Sequence, residues 1–163
     1  MESNVFIALG SNRGDRELNL LRAIAEIGKL APSRITALSS FYETEPVGPV
    51  KQENFLNAVL RLETPFSPHE LLAELQRIET RVFKRKRTVQ GGPRTMDLDI
   101  LLFGDLVLAE ANLTIPHPGL HERAFALVPL AEIAPDVVHP LLKKCISDLL
   151  ASLNTTERVE KYD

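Results

Sequence analysis

Along this chain the spacing of apolar residues changes period repeatedly, and the order of those changes restricts the fold more than any other feature. Asn4 to Leu9 reads as a buried strand. After the Gly10 and Gly14 turn, Leu18, Leu21, Ile24, Ala25 and Leu30 line one face of a helix that Pro32 closes. Arg34 to Thr44 reads as a second strand and Phe55 to Glu63 as a third, with Leu56, Ala58, Leu60 and Leu62 on one face and Phe55, Asn57 and Val59 on the other. Ser67, Pro68 and Glu70 spell a capping box with proline at the first helical position, and Leu71, Leu72, Leu75 and Ile78 give that helix its buried stripe. Asp97 to Phe103 is a fourth strand, followed by a Gly104-Asp105 turn and a short return strand over Leu106 to Leu108. From Ala124 onward helical pieces are broken by Pro129, Pro135 and Pro140. Strand, helix, strand, strand, helix, strand is the split βαβ order, which predicts an α+β protein with a ferredoxin-like core and an antiparallel sheet covered by helices.

A chain of 163 residues has the length of one such domain, 1–163, and at 44% hydrophobic and 25% charged residues it can build a core. Its net charge of -3 and pI near 5.8 argue against a molecule that tracks a nucleic-acid backbone. One cysteine, Cys145, allows no internal disulfide and points to a reducing, cytoplasmic setting. The start, MESNVFIALGSN, has no basic region and too short an apolar run for export or for spanning a membrane.

Two connections, Glu45 to Asn54 and Phe83 to Thr95, are long for so small a domain and rich in proline and glycine, as ligand loops and lids tend to be. Plain surface loops share that composition. The second runs into RTMDLDILLF, where Asp97 and Asp99 fall on one strand face about 6.7 Å apart. Leu98, Ile100 and Leu102 occupy the opposite face, so the carboxylates mark the polar start of a buried strand. An isolated D-x-D is most often a strand end reaching water. Here Arg81, Lys84, Arg85, Lys86, Arg87 and Arg94 precede it, with no acidic residue between Glu79 and Asp97. A cationic loop leading into a carboxylate pair suits a polyphosphate and its magnesium, since basic groups grip phosphate oxygens and the metal bridges them. An RNA-binding module without turnover would use the same charges, but only Phe83 interleaves them and no strand carries the matching aromatic pattern. No G-x-x-x-x-G-K-[ST] segment occurs, so the phosphate cradle is not a P-loop. GSNRGD reads as a strand-to-helix turn. His117 and His121 have a spacing that zinc can use, but Pro118 and Gly119 disfavour a helix there and no third ligand is evident.

GPRTMDLDILLFG, together with SSFYETEPVGP, the NAV of FLNAVLRLE and LTIPHPGLHERAFALVPLAEIAP, resembles the 6-hydroxymethyl-7,8-dihydropterin pyrophosphokinase family of folate biosynthesis over nearly the whole chain. The resemblance implies a three-layer α/β/α arrangement around the ferredoxin-like core. It also implies transfer of the β,γ-diphosphate of ATP to the pterin hydroxymethyl oxygen, with release of AMP. Asp97 and Asp99 match the ligands of two magnesium ions. Thr44, Glu45, Val47, Phe55, Asn57 and Phe125 match the pterin pocket, where two phenyl rings can stack on a flat heterocycle and an amide can read its edge. Gln76, Glu79, Lys84, Arg94, Ile100, Thr114, His117 and Arg123 match positions that contact ATP, and Lys84, Lys86, Arg94, Asp97 and Asp99 are the expected catalytic group. Family members commonly carry G-R-x-R and then R-W before G-P-R. This chain has Phe83-Lys84-Arg85-Lys86 and then Gln90-Gly91, which keeps the charge and gives up planar forks and an aromatic cover. No general base stands near the aspartates in sequence, so catalysis is expected to rest on alignment and charge neutralisation, with the two loops closing to exclude water. ATP and the pterin alcohol are the expected partners of a monomer that engages neither nucleic acid nor membrane.

Overall fold

The computed structural model describes residues 2–46, 48–84 and 94–162. Six strands form one sheet: β1 (Ser3–Ser11), β2 (Arg34–Leu38), β3 (Tyr42–Thr44), β4 (Phe55–Thr64), β5 (Asp97–Phe103) and β8 (Val159–Lys161). The order is β5-β1-β4-β3-β8, with β2 also paired to β4, and every pairing is antiparallel. Helices α1 (Arg16–Gly28) and α2 (Pro68–Arg77) cover one face, where Leu20, Ala23, Ile27, Leu71 and Leu75 meet Val5, Ile7, Leu9 and the even-numbered apolar residues of β4. Helices α3 (Ala124–Ile133) and α4 (Ile146–Ser152) cover the other, on Phe6, Val59, Leu101 and Leu102. The three layers are therefore α/β/α around a ferredoxin-like core. Among the described residues no helix is long and apolar enough to cross a membrane.

The α2 start is the one that the sequence spells. Ser67 accepts from the Glu70 backbone while the Glu70 carboxylate accepts from the Ser67 backbone, and Pro68 opens the helix. A π-helical turn over Ile78–Val82 continues it. In α1 the buried stripe is Asn19, Leu20, Ala23 and Ile27, while Leu18 and Leu21 are half exposed and Ala25 faces water. The cause is Asn19, whose amide donates to the Ser11 hydroxyl and to the carbonyls of Arg13 and Thr95, turning the helix so that a polar side chain sits inside.

The expected strand over Arg34 to Thr44 is two strands. Between them Ser39 bonds β4 in its own way: its backbone N–H donates to the Val59 carbonyl and its hydroxyl accepts from the Val59 N–H. Glu132 of α3 then holds the short β3, accepting from the Ser40 N–H and hydroxyl and from the Tyr42 hydroxyl. Burial and that carboxylate push the Tyr42 phenol up to about 12.

Leu106 to Leu108 is not a return strand on the sheet. Gly104, at φ 54°, turns the chain away, and β6 (Leu108–Glu110) pairs instead with β7 (Leu113–Ile115) in a separate hairpin. Pro129 does not break α3; it lies buried inside a helix apolar on nearly every side, whose packing outweighs one missing N–H. In β5, Leu101 has no partner on β1 because the register shifts there, so Leu102 falls on the α3 side and not with Leu98 and Ile100.

Candidate active site

Gly10 of β1 is the register partner of Asn57 in β4 and, on its other side, of Asp97 in β5. Residues paired across antiparallel strands project from the same face, so Asn57, Gly10 and Asp97 make one row across three strands, each spacing about 4.8 Å. Val59, Ala8 and Asp99 make the next row. Ala8 and Val59 pack in the cluster under α3, which assigns both aspartates and Asn57 to that face. The row works because its middle member has no side chain: a Cβ on Gly10 would stand 2.6 Å from Asn57 Oδ1.

At the β4 end of the row Asn57 is 8% exposed and donates from Nδ2 to Thr44 Oγ1 at 2.6 Å. Phe55, half-buried, follows on the same face and pairs in register with Thr44. Phe125 stands in the first turn of α3 with the Arg123 guanidinium 5.7 Å from its ring centre.

The β5 end is electronegative. Asp97 accepts from Arg94 at 2.8 Å, and Glu79, at the end of the α2 segment, accepts from the Leu98 backbone N–H at 2.7 Å. Burial first, then the charges of Asp97 and Glu79, push the Asp99 carboxyl up to about 7 against the opposing pull of Arg94. The donors are oxygens carrying more negative charge than the neighbouring cation offsets, which fits a hard divalent cation. Among the described residues no three His, Cys, Asp or Glu side chains close a cage by themselves.

His117 comes to this end from the other side. Its N–H donates to the carbonyl of the bulged Leu101, and its Nδ1 accepts from the Gly119 N–H, which leaves the proton of the neutral ring on Nε2. Burial holds its pKa below the usual value, helped by Arg123 and opposed by Asp97. The neutral imidazole is therefore a donor within the field of both residues.

The structure thus gathers Asp97, Asp99, Glu79, Arg94, His117 and Arg123 on one side and Thr44, Phe55 and Asn57 on the other, with Phe125 on α3 beside Arg123. The other residues named from sequence lie outside this row. Ile100 puts its side chain into the α1/α2 core, on the face opposite the aspartates. Gln76 is exposed on α2, and Thr114 is exposed on the hairpin, bonding the Glu110 carbonyl of that hairpin. Glu45 is exposed. Lys84 is exposed where the π-helical turn ends, with its backbone in the left-handed region at φ 49°. Val47, Lys86, Arg85, Arg87 and Gly91 lie outside the described residues.

Sequence reasoning missed Asn12, in the segment read as a plain turn. Its amide donates to Gln52 Oε1 at 2.8 Å and to the Glu53 carbonyl at 2.9 Å. Its Oδ1 accepts from the Arg94 N–H, and its own N–H donates to the Arg94 carbonyl. One residue, 3% exposed, therefore fastens the ends of both long loops. An asparagine between Gly10 and Gly14 was the available signal, but its partners lie 40 and 82 residues away.

A family model described as 7,8-dihydro-6-hydroxymethylpterin-pyrophosphokinase matches residues 6–135. The chain is 46% identical over 135 residues to the 2-amino-4-hydroxy-6-hydroxymethyldihydropteridine pyrophosphokinase of Haemophilus influenzae, covering 83% of this chain and 84% of that one. It is 47% identical over 137 residues to the protein of the same description from Bacillus subtilis, covering 84% and 81%. In fold it is similar to the crystal structure of Plasmodium falciparum wild-type HPPK-DHPS with pteroate, at a TM-score of 0.75 and 16% identity over 93% of this chain. It spans 42% of that longer chain.

Proposed function

Because the chain belongs to the 7,8-dihydro-6-hydroxymethylpterin-pyrophosphokinase family, we propose that the row from Asn57 through Gly10 to Asp97 is the line along which its two substrates meet. The enzyme transfers diphosphate from ATP to 6-hydroxymethyl-7,8-dihydropterin in folate synthesis. The hydroxymethyl oxygen attacks the β-phosphorus and loses its proton, the bond from the β-phosphorus to the α-phosphate oxygen breaks, and AMP leaves with the bonding pair.

In this reading the pterin lies at the Asn57 end, between Phe55 and Phe125, with Thr44, Glu45 and Val47 completing the pocket. Asn57 Oδ1 is the acceptor left for the heterocycle's amino edge, since Nδ2 is engaged by Thr44. The triphosphate lies at the Asp97 end. Asp97 and Asp99 would hold magnesium, two ions with ATP, and the metal would supply charge neutralisation for the phosphates. Arg94 and Arg123 give fixed cationic forks, and His117 Nε2–H is a neutral donor. Lys84 and Lys86 bring the remaining charge from the 83–95 loop, while Gln76, Glu79 and Thr114 complete the nucleotide side, to which Ile100, with its side chain in the α1/α2 core, can offer only its backbone. Glu79 keeps the start of β5 in place through Leu98. With Asp97 and Asp99 assigned to the metal, the chain's contribution is in-line alignment on a rigid sheet, where charges held in advance need no reorganisation.

We read residues 1–163 as one pyrophosphokinase domain and place it in the cytoplasm, where a lone thiol such as Cys145 stays reduced. The observation that carries the site assignment is the Asn57–Gly10–Asp97 row, which brings an aromatic-flanked amide and a carboxylate pair to one face. Incubation with ATP, magnesium and the pterin alcohol, with products separated by anion exchange, tests it on the wild type and on Asn57→Ala and Asp97→Ala. Pterin-dependent AMP that falls sharply in both variants is expected. Phosphate released without pterin would indicate a hydrolase, and undiminished AMP in both variants would overturn the site.

A further inference from the structure

Arg16, outside every group assigned above, bridges three separate parts of the chain. Its Nη1 donates to Glu43 Oε2 at 2.7 Å and to the Asn54 carbonyl at 3.1 Å, and its guanidinium carbon stands 5.9 Å from the centre of the Tyr162 ring. Glu43 lies in β3, two residues before the 45–54 loop begins, and Asn54 is its last residue, directly before Phe55. Both feet of the loop are thus held by one cation. Tyr162 is brought there by β8, which pairs with β3, and by its own N–H, which donates to the Phe41 carbonyl at 2.8 Å.

The position is a poor one for an arginine on local grounds. Arg16 is the first residue of α1, where the helix dipole disfavours a cation, and Asp15 already caps the helix through the Leu18 N–H. Its side chain is only 24% exposed, so it does not simply extend into water. A charge placed against the dipole, half sequestered and forked between a carboxylate and a loop carbonyl, is explained by what it holds.

We propose that Arg16 is a positioning residue for the pterin side of the reaction. It closes the 45–54 loop at its base, with Tyr162 backing the guanidinium, and so fixes the direction in which Phe55 and Asn57 enter β4. The argument rests on the reading that places the pterin at Phe55 and Asn57. Clasping the two feet of a ten-residue loop removes closure entropy that substrate binding would otherwise have to supply. The effect should fall on the pterin and spare ATP, because none of the three contacts reaches the Asp97 end and the loop's tie to Arg94 runs separately through Asn12, which the substitution leaves in place.

Calorimetric titration tests this, with the dihydropterin alcohol added to enzyme loaded with magnesium and α,β-methylene ATP, and the nucleotide titrated separately. Arg16→Ala should weaken pterin binding by roughly tenfold, the scale of one lost charge-assisted hydrogen bond. Nucleotide affinity should stay within about twofold, as for sites that share no partner. Arg16→Lys keeps the charge without the planar guanidinium that lies near the Tyr162 ring and should fall between, whereas Tyr162→Phe keeps the ring face and should match the wild type. If Arg16→Ala does not fold, Glu43→Ala, which removes one half of the clasp, must weaken pterin binding in the same direction. Unchanged pterin affinity in the folded variant, or equal losses for both ligands, would overturn the proposal. Asn57→Ala serves as the control. Should it lose pterin while Arg16→Ala does not, the clasp alone is wrong; should it also retain pterin, the placement of the pterin is wrong and the clasp fails with it.

Discussion

Gly10 and Asn57 face each other across β1 and β4 so closely that the glycine's missing side chain is the space in which the asparagine amide sits. In Gly10→Ala the new methyl group and Oδ1 cannot both stay, and Asn57 is not free to swing away because Thr44 holds its Nδ2. Pterin affinity should fall by about one to two orders of magnitude, the effect of displacing a positioned group by an ångström or less. Nucleotide affinity should change little. Paired titrations of the two ligands check this, and equal losses would mean that the sheet itself had shifted.

Asp99 is held where its charge is unwelcome until a cation arrives, between Asp97 and Glu79 and largely out of water. Asp99→Asn removes the repulsion and keeps the shape. Metal-free Asp99→Asn should melt a few degrees above the wild type at pH 8, while turnover drops by about 10²-fold or more for want of a carboxylate ligand. A variant that loses both activity and stability would assign the residue to packing.

Asn12 should matter to both loops at once. Alanine there leaves the Arg94 N–H, the Glu53 carbonyl and the Gln52 amide without the partner they share, at about 1 to 3 kcal/mol for each buried group not recovered by water. Chemical denaturation should register a loss in that range, and KM for both substrates should rise. A change confined to one KM would mean that the two loops do not depend on a common anchor.

His139 offers a pH test away from the site. It is 3% exposed, and its Nδ1 accepts from the Leu141 and Leu142 N–H groups, an arrangement that needs the neutral ring. Burial, with His121 adding to it, lowers its pKa from the usual 6.5. Below that value the unfolded chain takes up a proton that the folded chain refuses, so the stabilisation is complete above pH 6.5 and is lost as pH falls through the folded pKa. His139→Asn should flatten the decline in melting temperature between pH 8 and pH 5. An unchanged decline would shift the cause to His117, whose pKa burial also lowers.

Much of this was legible where the governing contacts are local. The capping box at Ser67 and the shared face of Asp97 and Asp99 depend on neighbours within a few residues, and both stand as read. The two faces of β4 also follow from alternation alone. The α1 face was misread because Asn19 outbids two leucines for the interior, and its partners are Ser11 and a carbonyl 76 residues away. Ser39 splits a strand through a side-chain bond to Val59, which no periodicity records. Of the site, the carboxylates and Asn57 were visible as chemistry. Asn12 and Arg16 were not, since each acts by holding distant backbone rather than by presenting a reactive group.

The unpaired Leu101 shifts β5 by one count, so that aspartates and leucines of opposite parity come to the same side of the sheet. Its own carbonyl, left over from the ladder, is what receives His117. The strand is therefore an instrument whose length is tuned as finely as its spelling. Exchanging one leucine for another aliphatic residue there alters a fit, whereas deleting Leu101 would make the ladder regular and leave every aspartate and leucine on its present side, at the cost of the carbonyl that receives His117.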